Sequence, residues 1–230
     1  MTGEQLRDAR KLKGWNQEQA AHRFGVSQAY LSLLEKGQRR VPESLAVKAV
    51  RVFGLSVAWL PVNRDQDHPA PLDEGTLAKE LAAIGYPGLS HLGSKRKKKN
   101  PAEVLLSALS KNNLDSRLVE ALPWVVLKYP DLDWDWLTRS ARVNDLQNRL
   151  GYVLSVGRRL AELAGDYDKA TKLGRAESGL ERSRLVREDT LCHESMTKVE
   201  KKWLRKNRSA EARHWRLLTD LSPEQYDYAA

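Results

Sequence analysis

The sequence predicts an all-α protein, and two observations carry this prediction. Strand signals are nearly absent, because no stretch alternates apolar and polar residues for long and no run is rich in β-branched and aromatic residues. Apolar residues instead recur at intervals of three or four, between helix caps and glycine or proline stops. We therefore expect a domain of five short helices, then a larger helical domain and a helical C-terminal tail.

The five short helices fall within residues 1–61, which form the first predicted domain. Ser27 is a good N-cap for the third helix, Pro42 suits the first position of the fourth, and Ser56 caps a short fifth segment. Glycines that can end a helix are found at four places: Gly14, Gly25, Gly37 and Gly54. Residues 62–73 are polar, contain two prolines and show no periodicity, so they are predicted to be a linker.

Residues 74–165 are predicted to form the larger helical domain. Helices are expected at residues 74–84, 101–110, 116–129, 134–141 and 146–163. Pro123 is expected to break or restart the third of these helices. The last of them carries charged residues that are expected to occupy the side away from its apolar stripe: Arg149, Arg158, Arg159 and Glu162.

Residues 166–230 are predicted to be a helical C-terminal extension that is poor in apolar residues. Its apolar stripe is weak and lies in a strongly charged setting: Leu191, Val199, Trp203, Leu204, Trp215 and Leu218. These side chains cover too little area for an independent domain. We therefore expect the extension to fold back, pair with a second copy or dock on another protein.

The composition places the 230-residue chain among globular proteins, since 41% of its residues are hydrophobic and 30% are charged. Its longest apolar run, residues 121–127 with Pro123 counted, is far shorter than the roughly 20 residues of a spanning helix. The start of the chain lacks a signal-peptide pattern. The single cysteine excludes an intrachain disulfide framework and a multi-cysteine zinc site. We expect a cytoplasmic protein of bacterial or phage type with no membrane partner.

Basic charge is concentrated near the N-terminus. The chain has 39 Lys and Arg against 30 Asp and Glu, a net charge of +9, which favours a polyanionic partner. Residues 1–61 hold ten basic and five acidic residues, more than half of the excess. The middle of the chain adds one dense cluster of five consecutive basic residues: Lys95, Arg96, Lys97, Lys98 and Lys99.

Residues 16–37 predict two helices joined by a tight turn. The first helix ends near Gly25, which can take the positive φ that the turn needs, and the second begins after Ser27. Ala21 is small where the two helices must approach each other. Three further residues point back to a shared core: Val26, Leu31 and Leu34. This is the helix-turn-helix geometry, in which the second helix can lie in the DNA major groove.

Residues 4–60 also carry a set of residue types at unbroken spacing. The set comprises Leu6, Arg7 and Arg10, Asn16 and Gln17, Ala20 and Ala21, Phe24, Gly25, Val26 and Ser27, Leu31, Leu34, Glu35, Lys36 and Gly37, and Val57, Ala58, Trp59 and Leu60. Through these residues, the segment closely resembles the phage-repressor and Cro-type helix-turn-helix family, which is also called the XRE family. The resemblance implies a DNA-binding domain whose loop after the recognition helix, residues 36–40, also touches DNA.

Four residues in the early, exposed part of the recognition helix are predicted to read bases. Gln28 can pair with adenine N6 and N7, and Ala29 can contact a thymine methyl group. Tyr30 can either reach a phosphate or sugar or pack across the turn. Ser32 and the neighbouring Leu33 are less polar than the residues of many relatives. We therefore expect modest direct readout and a dependence on DNA spacing and shape.

Six residues are predicted to contact phosphates: Arg10, Asn16, Gln17, Lys36, Arg39 and Arg40. Asn16 and Gln17 lie at a helix N-terminus, where backbone amides and the helix dipole favour an anion. The arginines and Lys36 supply positive charge. Residues 95–99 are a possible accessory DNA contact, and the alternative is a solvated basic loop.

No pattern in the sequence indicates catalysis. Three tryptophans, at 124, 134 and 136, are better explained as helical core than as a base-stacking platform. Asp131 and Asp133 are better explained as caps of the helix that begins at Trp134 than, with Asp135, as a metal site. Neither a zinc-peptidase motif nor a glycine-rich phosphate loop is present. We expect no enzyme activity, no metal and no cofactor.

The sequence thus favours a transcriptional repressor that binds an inverted repeat in double-stranded DNA as a homodimer, because one such module buries only a modest DNA surface. The alternative is an antitoxin that neutralises a toxin through its helical C-terminal part and represses its own promoter. The two functions are compatible with each other. Residues 74–230 give no clear family resemblance and carry no assigned chemistry.

Overall fold

The computed structural model describes residues 1–64, 68–69, 72–92 and 98–226. The chain divides into two compact units, the N-terminal unit (Met1–Val62) and the C-terminal unit (Asn63–Ala230). The described residues are largely helical, with one short two-stranded sheet, so the predicted all-α fold class is confirmed. In the described ranges, no helix combines the length and the apolarity that crossing a membrane requires.

The N-terminal unit contains α1 (Gly3–Leu12), α2 (Gln17–Phe24), α3 (Gln28–Glu35) and α4 (Glu43–Phe53), followed by a short 3-10 helix (Val57–Trp59). Thr2 and Asn16 begin α1 and α2 with capping boxes, and the Ser27 hydroxyl accepts the backbone N–H of Tyr30 at the start of α3. Pro42 is the N-cap of α4 rather than its first residue. The fifth predicted helix is a single 3-10 turn, because Ser56 and Val57 accept bonds only three residues ahead.

A core between these helices fixes α2 against α3. Its buried members are Leu6, Ala9, Ala20, Ala21, Phe24, Leu31, Leu34, Leu45, Ala49 and Phe53. The ring of Phe53 packs against Phe24 at 5.3 Å and Trp15 at 5.4 Å between ring centroids. Gly25 has a φ of 67° and reverses the chain between the two helices, as the sequence predicted. One face of α3 is therefore held by the core while the other faces solvent.

The C-terminal unit contains α5 (Glu74–Ala83), α6 (Pro101–Leu109), α7 (Ser116–Lys128), α8 (Trp134–Val143), α9 (Gln147–Leu163), α10 (Tyr167–Glu181), α11 (Lys198–Asn207) and α12 (Ala210–His214). Two 3-10 segments, Pro87–Leu92 and Pro223–Gln225, and a parallel pair of short strands, β1 (Asp189–Thr190) and β2 (Leu217–Leu218), complete it. Helix α7 continues through Pro123, contrary to the prediction. Leu122, Trp124, Val125 and Val126 are buried around this proline, and their packing holds the helix together.

Helix α9 is the central helix of the C-terminal unit and packs against α7, α8, α10 and α12. It is buried nearly all round rather than on one stripe. Arg149, which the sequence placed on an exposed side, is 4% exposed. Its guanidinium binds Asp189 at 2.8 and 3.0 Å, together with the backbone carbonyls of Leu109 and Lys111 at 2.8 and 2.7 Å. These four bonds offset the desolvation of the charge.

Four of the six residues of the C-terminal apolar stripe fold back onto this core, whereas Val199 and Trp203 are exposed. Trp215 is fully buried against Gly151 of α9, where an added Cβ would overlap the indole ring. Leu191, Leu204 and Leu218 are also buried, although Leu191 directly follows β1 and is not helical, contrary to the helical extension that the sequence predicted. The residues predicted as a C-terminal extension thus belong to the same compact unit as residues 74–165, as do Asn63 and Arg64 of the predicted linker.

Candidate nucleic-acid interface

The solvent-facing side of α3 carries the predicted base-reading residues. Gln28, Ala29 and Leu33 are exposed and Ser32 is half-buried, whereas Leu31, Leu34 and Glu35 are buried. At about 100° per residue, the first four fall within roughly 140° of one another on the helix surface. Tyr30 is half-buried and packs against the core cluster, one of its two predicted alternatives. The structure therefore brings Gln28, Ala29 and Ser32 to one narrow face.

A chain of hydrogen bonds connects this face to the interior. Arg10 of α1 donates through Nε and Nη2 to the two carboxylate oxygens of Glu35, at 2.6 and 2.9 Å. Its Nη1 donates to the Trp15 carbonyl at 2.7 Å. Glu35 also accepts from Gln17 Nε2 at 2.9 Å, and Gln17 Oε1 accepts from Gln28 Nε2 at 2.7 Å. A buried ion pair thus holds the first residue of the recognition helix.

The charge state of Glu35 follows from these partners. Burial alone would raise the pKa of its carboxyl group, but hydrogen bonds from Arg10 and Gln17, with the positive charge of Arg10, bring that pKa below its ordinary value. The hydrogen bond to Glu35 raises the pKa of Arg10 against the effect of burial. Both groups are therefore charged at neutral pH, and the carboxylate can accept all three N–H donors.

The geometry leaves Gln28 able to pair with adenine. A glutamine amide has two N–H donors and a carbonyl acceptor, and the bond to Gln17 uses one donor. The second N–H and Oε1 are the two groups that a bidentate pair with adenine N7 and N6 requires. The bond to Gln17 thus orients the amide without consuming its base-reading atoms.

Arg10 does not fit the phosphate contact that the sequence predicted for it. Its side chain is 10% exposed, and its guanidinium faces Glu35 and the Trp15 carbonyl inside the N-terminal unit. Sequence reasoning missed Glu35 as its partner. The available signal was a charged residue at 35, next to the buried-face residue Leu34 and four residues after Leu31. Arg10 and Glu35 are positioning residues for α3.

The other predicted phosphate residues lie at the two ends of the motif. Asn16 is exposed and caps α2, and its side-chain oxygen accepts the backbone N–H of Gln19 at 2.8 Å. Gln17 is half-buried with its side chain engaged, so its backbone N–H at the start of α2 is the group that suits a phosphate. The N-terminal end of α2 therefore offers amide donors rather than charge.

The loop after α3 supplies the charge. Lys36, Arg39 and Arg40 are all exposed. Gly37 has a φ of 71°, and the backbone N–H groups of residues 38 and 39 donate to the Leu33 carbonyl, which folds the loop back on the end of α3. The Arg39 guanidinium lies 5.9 Å from the centroid of the Tyr30 ring. This arrangement places three cationic side chains next to the recognition helix.

The predicted accessory contact is only partly described. Lys95, Arg96 and Lys97 lie outside the described residues. Lys98 is exposed, and the Lys99 ammonium is 3.7 Å from the carboxylate of Glu80, a buried residue of α5. Lys99 is therefore held by the C-terminal unit. Lys98 makes no such contact with Glu80 within the described residues.

Residues 6–60 match the family model described as helix-turn-helix. The match covers about a quarter of the chain and coincides with α1 to α4 and the following 3-10 turn. This match confirms the resemblance to the XRE family for the N-terminal unit and supports a DNA-binding transcription regulator of this type. No curated protein and no solved structure matches the chain.

Proposed function

We propose that this helix-turn-helix regulator represses its target promoter by binding an inverted repeat in double-stranded DNA as a homodimer. The observation that carries the proposal is the hydrogen-bond chain from Arg10 through Glu35 and Gln17 to Gln28. It fixes one amide at the solvent-facing start of α3 with an N–H and an oxygen left for a base. A fixed donor and acceptor pair distinguishes adenine from other bases in the major groove.

The exposed face of α3 offers few polar groups besides Gln28. Ala29 and Leu33 can contact thymine methyl groups, and Ser32 has a short hydroxyl that is half-buried. We infer that each N-terminal unit reads a short half-site, with further selectivity coming from DNA shape. A single module of this size buries on the order of 600–1,000 Å² against DNA. Two copies are therefore required for a site that is selective in a genome.

Phosphate contacts orient each copy on its half-site. The backbone N–H groups at the start of α2 suit one phosphate, and Lys36, Arg39 and Arg40 suit those at the other end of the motif. These contacts supply affinity without sequence information. In a two-fold dimer the half-sites lie about 10–10.5 base pairs apart or at a multiple of that distance.

The proposal is tested by selecting bound duplexes from a random library with the full chain, followed by footprinting and sedimentation with the selected duplex. We expect two inverted half-sites and two chains per duplex. Gln28→Ala is expected to relax the preference at one base pair in each half-site, by roughly 1–3 kcal/mol. Binding without sequence preference at every salt concentration contradicts base reading, and one chain on one half-site contradicts the dimer.

Repression is tested separately, with a reporter gene behind the selected site. We expect reporter output to fall when the protein is supplied and to recover with Gln28→Ala. A rise in output identifies an activator instead and contradicts the repressor role while leaving DNA recognition intact.

The antitoxin hypothesis rested on C-terminal apolar residues that need a partner. Leu191, Leu204, Trp215 and Leu218 are instead buried within the C-terminal unit, which reduces the apolar surface available for a toxin. We therefore place the repressor role first. A toxin encoded next to the gene, inhibited by the full chain and by Gln28→Ala alike, would support the antitoxin role independently of DNA recognition.

A further inference from the structure

Helix α11 differs in charge from the rest of the C-terminal half. Residues 131–197 hold 11 Lys and Arg against 12 Asp and Glu, whereas residues 198–216 hold eight against two. Within α11 itself, five of ten residues are basic and one, Glu200, is acidic. A local excess of this size within a nearly neutral region is a candidate polyanion-binding surface.

Three lysines form a stripe along the solvent side of α11, which we call the lysine stripe: Lys198, Lys202 and Lys206. Their spacing of four places them on one face, centred about 160° from Leu204, the buried residue of the helix. All three are exposed, and none has an ion pair or hydrogen bond through its ammonium group within the described residues. The stripe is therefore free to bind an anionic ligand.

The other charged residues of α11, and Arg208 directly after it, are already engaged. Glu188 binds Arg205 at 2.7 Å and Arg208 at 3.1 Å, and the Lys201 ammonium is 3.5 Å from the Glu194 carbonyl. The one acid of the helix, Glu200, accepts from Thr197 in a capping box, on the side away from the lysine stripe. The anchoring bonds and the buried Leu204 fix the helix, so the backbone positions of the three lysines are set before any ligand binds.

Two apolar side chains border the lysine stripe. Trp203 is 56% exposed and Val199 is 79% exposed, and they are four residues apart on the same edge. Two residues make too narrow an apolar face for stable insertion into a lipid interface, which requires a broad one. An indole beside unpaired lysines can instead pack against the sugar edge of a nucleic-acid backbone.

We propose that α11 is a second DNA-binding surface, which contacts the phosphate backbone of a duplex without reading its sequence. At 1.5 Å per residue, Lys198 and Lys206 are separated by about 12 Å along the helix axis. One DNA strand rises about 3.4 Å per phosphate along the duplex axis, so a lysine stripe parallel to that axis spans three to four phosphates. The inference rests on the proposed function only in taking duplex DNA as a ligand of this chain.

The test compares two triple variants of the full chain on a random-sequence duplex of about 30 base pairs. Lys198→Gln, Lys202→Gln and Lys206→Gln remove the lysine stripe. Lys79→Gln, Arg117→Gln and Lys128→Gln make the same charge change at exposed positions on α5 and α7 and serve as the control. Affinity is measured between 50 and 200 mM salt, and the readout is the slope of log K against log salt.

We expect the stripe variant to reduce the magnitude of the slope by about 2–3, since each lost phosphate contact contributes about 0.9, and the control to change it by less than about 0.5. Replacing the same three lysines with arginine should retain the wild-type slope, because the charge is kept. Equal slopes for the stripe variant and the control overturn the proposal.

Two further readouts separate this proposal from its alternatives. The affinity ratio of a selected site over random duplex should stay within about twofold in the stripe variant, because α11 reads no sequence. A wild-type chain without any sequence preference contradicts the proposed function, yet a reduced slope in the stripe variant still supports α11. Sedimentation of the chain with phosphatidylserine vesicles that is lost in the stripe variant, with an unchanged DNA slope, overturns the proposal in favour of a lipid surface.

Discussion

Each unit of the protein contains a buried arginine that binds a carboxylate through two nitrogens. In the N-terminal unit Arg10 pairs with Glu35, and in the C-terminal unit Arg149 pairs with Asp189. The first pair continues through Gln17 to the exposed amide of Gln28. The second extends to the Leu109 and Lys111 carbonyls and to the Glu194 carboxylate, which lies 3.9 Å from Arg149. The same chemistry thus positions a recognition surface in one unit and fastens loops together in the other.

The largest expected effect comes from breaking either pair. Arg10→Met and Arg149→Met should each lower the free energy of unfolding by roughly 3–5 kcal/mol. The first leaves the buried carboxylate of Glu35 without its partner, and the second removes the donor of the half-buried Asp189 and of two backbone carbonyls. Hydrogen exchange should localise the damage to α1 and α3 for Arg10→Met, and to residues 109–111 and 189–193 for Arg149→Met. Loss of protection in α3 caused by Arg149→Met would contradict the separate roles of the two pairs.

Close packing in the C-terminal unit gives the next effect. Gly151→Ala should destabilise the protein by about 1–3 kcal/mol, because the added Cβ overlaps the indole ring of Trp215. Gly179→Ala on α10 is the control, since no atom lies within 4 Å of its added Cβ. That variant should stabilise the helix by about 0.5–1 kcal/mol. Urea unfolding measures the stability of both variants. Equal changes in the free energy of unfolding would mean that Trp215 can move aside.

Acid should destabilise the Arg10–Glu35 pair by less than the substitutions above destabilise the protein. The pKa of Glu35 in the folded protein lies below the ordinary value of 4.5, so its ionised form stabilises the fold above that pH. This contribution is lost as the pH falls from about 4.5 through the lowered pKa. Glu35→Gln should therefore unfold with a flatter pH dependence between pH 5 and 3 than the wild type. If the stabilities of the variant and the wild type change in parallel with pH, Glu35 is not the source of the acid sensitivity.

The smallest expected effect is on a phosphate contact. Arg40→Ala should weaken binding to all duplexes about equally and reduce the salt slope by about 0.9, because one phosphate contact is lost. Arg51→Ala removes the same charge from an exposed position on α4, outside the predicted interface, and serves as the control. If both variants reduce the slope alike, Arg40 contributes only general charge.

The two units also differ in how much their sequences predict. Gly25, Ser27 and the apolar spacing of α2 and α3 define the helix-turn-helix locally, so this motif and its exposed residues follow from the sequence. The burial of Arg10 does not, because its partner Glu35 lies 25 residues away and a charged residue within a helix usually faces solvent.

In the C-terminal unit most departures from prediction involve long-range contacts. Arg149 binds Asp189, which lies 40 residues further along the chain. Trp215 packs against Gly151, and no helical periodicity in the sequence links these two positions. Pro123 stays within α7 because tertiary burial compensates for the lost backbone bond. The sequence shows the spacing of four that defines the lysine stripe. Only the structure shows that these lysines lack acidic partners, because Glu188 binds Arg205 and Glu200 caps α11.

The central claim is that the Arg10–Glu35 pair positions Gln28 for base reading, and Glu35→Gln tests it most directly when compared with Asp189→Asn. The measurement is the affinity of the folded full chain for its selected site divided by that for a random duplex of equal length. We expect Glu35→Gln to reduce this ratio about tenfold, as loss of one bidentate base contact requires, and Asp189→Asn to leave it within about twofold. Ratios that stay equal in both variants would contradict the account.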